Sequence, residues 1–119
     1  MPKMNKVMAG YHMLMILSQA DGEFENTEGK VIVNYLKNTF PFKIDFDIED
    51  EILSALPKQD YFLHFNNCMN DFYEDSTEAE RLQFLKMAMA IATADQKVTV
   101  EENKYLKELF FAWDSQYEE

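Results

Sequence analysis

At 119 residues, with 47% hydrophobic side chains, ten Phe, six Tyr and eight Met but only three Gly and three Pro, the chain fits one compact domain spanning 1–119 with a sizeable core; ordinary domains run to roughly 100–200 residues, and disordered segments lack this apolar content. Acidic residues outnumber basic ones 22 to 11, a formal charge of −11. That charge repels phosphate backbones and argues against nucleic acid as a partner, while cations and basic protein surfaces suit it.

The first predicted helix covers Asn5 to Gln19, where Val7, Met8, Tyr11, Leu14, Met15 and Ser18 recur at three- and four-residue spacing and Met13, Ile16 and Leu17 widen the face. A helix apolar almost all round belongs at the centre of a bundle, and Gly10 lets a neighbour approach it closely. Lys3 and Lys6 before and within it are the lone basic patch, too small for an electrostatic arm. This opening is not an export signal, its apolar run Met13 to Leu17 being too short. No segment approaches the roughly 20 residues of a membrane span, and Cys68 stands alone, without a disulfide partner. A cytoplasmic location without membrane insertion is expected.

A second helix is expected from Asn26 or Thr27, both suitable caps, to a point before Pro41, with Val31, Ile32, Tyr35 and Leu36 inward. The stretch FPFKIDFDI, Phe40 to Ile48, alternates like a strand. No partner strand offers itself, so it reads as an extended crossover pinned by Phe40, Phe42, Ile44 and Phe46. Asp47 is then expected to cap a short helix over Ile48 to Ala55, ended by Pro57, with a longer helix from about Gln59 to Tyr73 burying Phe62, Phe65, Met69, Phe72 and Tyr73. Thr77 and Glu80 form a capping box that opens a helix through Leu82, Leu85, Met89 and Ala92. A last helix starts at Thr99, paired with Glu102, and buries Leu106, Leu109, Phe110 and Trp113. The expected fold is all-α, a bundle of six or seven helices.

Sliding the chain by 74 positions lays MLMILSQADGEFENTEGK over MAMAIATADQKVTVEENK with six identities, among them Asp21 with Asp95 and Glu28 with Glu102. The repeat implies two pseudo-symmetric helix-corner-helix hairpins. Asp21 to Glu28 fits the second half of a calcium loop, with Gly22 at the turn, Phe24 at the apolar position and Glu28 at the bidentate one. The first two ligand positions, however, fall on Leu17 and Gln19, and in the second copy on Ile91 and Thr93, with Gln96 in place of the turn glycine. An ordinary EF-hand is excluded in both copies. Two readings remain: Asp21 and Asp95 turn the chain by bonding backbone amides, or the crowded carboxylates Asp21, Glu23, Glu25 and Glu28 hold a hard cation, Ca²⁺ or Mg²⁺, weakly and through several waters.

The paired corners ADGEFENTE and ADQKVTVEE, each after an Ala- and Met-rich helix, resemble the TerB-like tellurite-resistance domain family, which also takes in the N-terminal domain of the co-chaperone DjlA. The resemblance implies an all-helical, non-catalytic domain of bacterial stress and tellurite-resistance systems whose acidic corners bind metal. Here those residues are Asp21 and Glu28, then Asp95 and Glu102. Lys97 and the missing glycine weaken the second corner. Elsewhere, His64 and Cys68 stand at i and i+4, a spacing that holds zinc when two more ligands converge. His12 is the only other histidine, and the expected arrangement is a cysteine packed in the core beside a partly exposed imidazole. No Ser-His-Asp arrangement or phosphate-binding glycine loop is present, the methionines are expected to fill the core, and no enzyme is expected. A protein partner with a basic surface is.

Overall fold

The computed structural model describes residues 4–19, 26–40, 44–92 and 100–113. Six α-helices make up the described fold: α1 Lys6–Gln19, α2 Asn26–Thr39, α3 Phe46–Ala55, α4 Tyr61–Asp75, α5 Glu78–Ala92 and α6 Val100–Ala112. A 3-10 turn, Lys58–Asp60, leads into α4. Among the described residues there is no strand.

Helix α1 is the axis of the bundle. Eleven of its fourteen residues are buried, and it packs against every other helix, most extensively α4. Its N-terminus is capped twice over. The Asn5 side chain accepts from the Met8 amide at 2.9 Å, while Asp71 and Asp75 of α4 accept from the Met4 and Lys6 amides at 3.1 and 3.0 Å. Those carboxylates satisfy orphan donors and sit at the positive end of the helix dipole. Lys6 then reaches Glu80 of α5 at 2.8 Å, so the polar entrance of α1 ties three helices together. Gly10 allows the close approach expected of it: a methyl group there would stand 3.3 Å from Leu36 Cδ2 and Phe84 Cε2 and 3.4 Å from Phe72 Cε2.

The crossover between α2 and α3 is helical sooner than the alternating pattern implies. Phe40 is buried and meets Phe72 edge-on at 6.1 Å, Ile44 and Phe46 are partly buried against the core, and Phe42 lies outside the described residues. The cap of α3 is Asp45 rather than Asp47; its side chain accepts from the Asp47 and Ile48 amides at 3.0 and 3.2 Å. Asp45 takes the role because its extended backbone leaves the next turn free to close, so the alternation of Phe46, Asp47 and Ile48 belongs to a first helical turn. The box at α5 forms as expected: Thr77 Oγ1 accepts from the Glu80 amide at 3.2 Å and Glu80 Oε1 from the Thr77 amide at 2.9 Å. Thr99, the expected cap of α6, lies outside the described residues.

Helices α4, α5 and α6 close around aromatic rings, with Phe72 at 4.6 Å from Phe84 and stacked on Trp113 at 5.2 Å. Three residues assigned inward from periodicity face outward: Val31 is 52%, Leu82 50% and Tyr73 47% exposed. Tyr73 lies at the C-terminal end of α4, where the Arg81 guanidinium stacks on its ring at 4.2 Å and donates to the Tyr73 and Ser76 carbonyls. Capping the last carbonyls of α4 thus holds the ring at the surface. Helix α5 buries one face, through Phe84, Leu85, Ala88 and Ala92.

Candidate functional site

The helix bounds define the acidic corners without describing them. Asp21, Glu23, Glu25 and Asp95 lie outside the described residues. Glu28 falls in the first turn of α2 and Glu102 in that of α6, and their side chains lie outside the description too. Helix α1 runs unbroken to Gln19 with Leu17 buried and Gln19 half-buried, so the early positions of a calcium loop are taken up by the helix. Helix α2 opens at Asn26 and α6 at Val100, 74 positions on.

Among the described residues, a polar cluster lies inside the bundle. His12, at the middle of α1, is fully buried. Its Nδ1 lies 2.8 Å from Nε2 of His64 on α4, and its Nε2 lies 2.9 Å from Oε1 of Glu49 on α3. His64 and Glu49 are each 6% exposed. The imidazole of His64 is therefore sealed in, not partly exposed as its sequence context suggests, because α1 covers the face of α4 that carries it. Cys68, one turn beyond His64, is fully buried, and the ligand atoms of His12, His64 and Cys68 lie within 4.8 Å of one another.

The hydrogen-bond roles follow from the chemistry of the groups. An ionised Glu49 can only accept, so Nε2 of His12 donates to it. A single proton then lies between Nδ1 of His12 and Nε2 of His64, because two donors cannot face each other at 2.8 Å. Burial pushes His64 below the usual histidine range, and the neighbouring His12 pushes the same way. The Cys68 thiol is pushed well up by burial, with the negative charge of Asp71 adding to the effect, so it is a protonated, unreactive thiol as it stands.

The orientation of α3 shows how strongly this cluster is held. The helix buries Glu49 and Leu53 while Ile48 and Ile52 remain 51% and 41% exposed. Hydrophobicity alone would rotate the isoleucines inward and the carboxylate out. The bond to His12, together with the place of Glu49 in the positive first turn of α3, offsets that cost. Around it, the Tyr11 phenol of α1 is pushed up to about 12 by burial and then by Asp50 and Asp47 of α3. Sequence reasoning singled out His64 and Cys68 but not Glu49, and treated His12 only as a spare histidine. The available signal was a titratable ring in a helix apolar all round, which demands a buried partner.

The family model for tellurite resistance protein TerB matches residues 7–112. The chain belongs to the TerB family. The match runs from α1 to α6 of this TerB domain, and takes in both acidic corners and the buried histidines. Neither the curated proteins nor the solved structures gave a match. Among the described residues no helix is long and apolar enough to cross a membrane.

Proposed function

We propose that this TerB-family chain is a non-catalytic accessory domain of a bacterial tellurite-resistance or related stress system, and that it binds Ca²⁺ or Mg²⁺ weakly at the Asp21–Glu28 corner. The observation that carries the first part is the family match over nearly the whole bundle. The burial of the His12, His64, Glu49 and Cys68 cluster supports it, since groups sealed at 0–6% exposure meet no substrate. For the corner, α1 ends at Gln19 and α2 opens at Asn26. The short connection between them carries Asp21, Glu23 and Glu25, and Glu28 follows in the first turn of α2. Crowded carboxylates repel one another, and a hard divalent cation relieves that repulsion. With no ligand from the buried end of α1, water completes the shell, and affinity stays at about 10⁻⁴–10⁻³ M. The Asp95 corner, with Gln96 and Lys97, contributes less.

Amide shift changes on titration with millimolar Ca²⁺ or Mg²⁺ test this. Shifts centred on Gly22 that disappear in Asp21→Asn with Glu28→Gln support the corner site. Amides around Gly22 that stay put would remove it and leave the acidic surface to a basic protein partner.

A further inference from the structure

The buried cluster has the donor set and the layout of a metal centre chemically unlike the acidic corner. One ligand atom each of His12, His64 and Cys68 converge within 4.8 Å, and His12 Nδ1 and His64 Nε2 point at one another across 2.8 Å. Four-coordinate zinc holds two imidazole nitrogens about 3.3 Å apart and nitrogen from sulfur about 3.5 Å apart, given metal bonds of about 2.0–2.3 Å. To admit the ion the rings part by roughly 0.5 Å and the sulfur, within 4.8 Å of the ring nitrogens, closes toward them by up to about 1 Å. Behind His12, Glu49 accepts from Nε2 at 2.9 Å, which is the carboxylate support that fixes the tautomer and raises the basicity of a metal-bound imidazole.

We propose that His12 Nδ1, His64 Nε2 and Cys68 Sγ form a buried three-ligand site for a divalent transition metal of the zinc class, oriented by Glu49. The charges close: a dication, one thiolate and the Glu49 carboxylate sum to zero in a space where an unbalanced charge is costly. Two nitrogens and a sulfur select zinc-like ions over the oxygen-seeking Ca²⁺ and Mg²⁺. Binding forms two metal–nitrogen bonds and one metal–sulfur bond. The Cys68 S–H proton leaves to solvent, and the proton between the rings passes to Nδ1 of His64. A water molecule takes the fourth position. With ligands on α1 and α4 and support from α3, the ion staples three helices, and its binding energy adds to folding stability.

Co²⁺ added to the metal-free full chain is the probe. One equivalent should give the intense visible bands of four-coordinate cobalt and a near-ultraviolet sulfur-to-cobalt band, and one equivalent of Zn²⁺ should abolish both. Cys68→Ser should lose the sulfur band, and His64→Gln should weaken binding at least tenfold, whereas Asp21→Asn with Glu28→Gln should change neither. Circular dichroism establishes that each variant is folded. Independently of any variant, Zn²⁺ binding measured in buffers of different ionisation enthalpy should release one proton per ion. Six-coordinate cobalt, a sulfur band that survives Cys68→Ser, loss of signal in the corner variant, or binding without proton release would each overturn the site. Those results leave the Ca²⁺ or Mg²⁺ response at Gly22 untouched, so failure of one site is distinct from failure of the other.

Discussion

Replacing Glu49 with leucine removes the acceptor that His12 Nε2 finds at 2.9 Å, inside a pair whose side chains are 1% and 8% exposed. A buried donor left unsatisfied, together with its lost charge-assisted bond, costs about 3 kcal/mol. Burying an apolar side chain in place of a carboxylate returns roughly 1 kcal/mol. The net loss is about 2 kcal/mol, or a fall in melting temperature of roughly 7 °C for a chain of this length. The second arm is the same change in a His12→Phe background. There the carboxylate has already lost its donor, so Glu49→Leu should be neutral or stabilising, and the double-mutant cycle should show a coupling of about 2 kcal/mol. Urea and thermal melts of the four metal-free proteins measure it. An equal penalty for Glu49→Leu in both backgrounds would refute the pairing and leave the burial of Glu49 to other causes.

Gly10→Ala tests the packing of the axis: the helix gains about 1 kcal/mol, but Leu36, Phe72 and Phe84 are wholly buried and stand 3.3–3.4 Å from the new methyl, and overpacking costs about 1–3 kcal/mol. Thermal melts should show a net loss of about 1 kcal/mol, and a raised melting temperature would mean that the neighbours give way freely. For Glu80, burial pushes the carboxyl up, but the hydrogen bonds from Lys6 and Thr77 and the Lys6 charge outweigh it and hold the group below the usual carboxylate range. Its contribution is therefore present above the unfolded value of about 4.3 and is lost as pH falls through the lower folded value. Glu80→Gln should cost about 1 kcal/mol at pH 7 and become nearly neutral once wild-type Glu80 is protonated; a pH-independent penalty in denaturant melts would contradict this. Asp45→Ala should destabilise by about 1 kcal/mol, since it strands the Asp47 and Ile48 amides, and an unchanged urea midpoint would show that water caps α3 equally well.

The helices were legible because their signals are local. The Thr77 and Glu80 box, the breaks at Pro41 and Pro57, and the apolar run of α1 act within a few residues of themselves. Orientation was less legible. Val31 and Leu82 sit beside inward positions on their helices, and spacing marks a face to within one neighbour without saying which flank the next helix covers. Tyr73 turns outward because Arg81, eight residues on, caps α4 beside it. Least legible was the buried site. His12 and His64 are 52 residues apart and Glu49 is 37 from His12, so their meeting depends on how α1, α3 and α4 pack, and no local pattern encodes that. The i, i+4 pair His64 and Cys68 was visible as half of a site, and the buried histidine of α1 was its missing third ligand. The acidic corners remain as the sequence describes them, since they lie outside the described residues.

Nitrogen NMR of the two imidazoles in the metal-free protein tests the buried site most directly. The structure predicts that Nε2 of His12 carries a proton, and that Nδ1 of His12 and Nε2 of His64 share one proton and show a scalar coupling through that hydrogen bond. An unprotonated Nε2 on His12, or two rings that exchange freely between tautomers with no coupling, would contradict the meeting of α1, α3 and α4 on which the site depends.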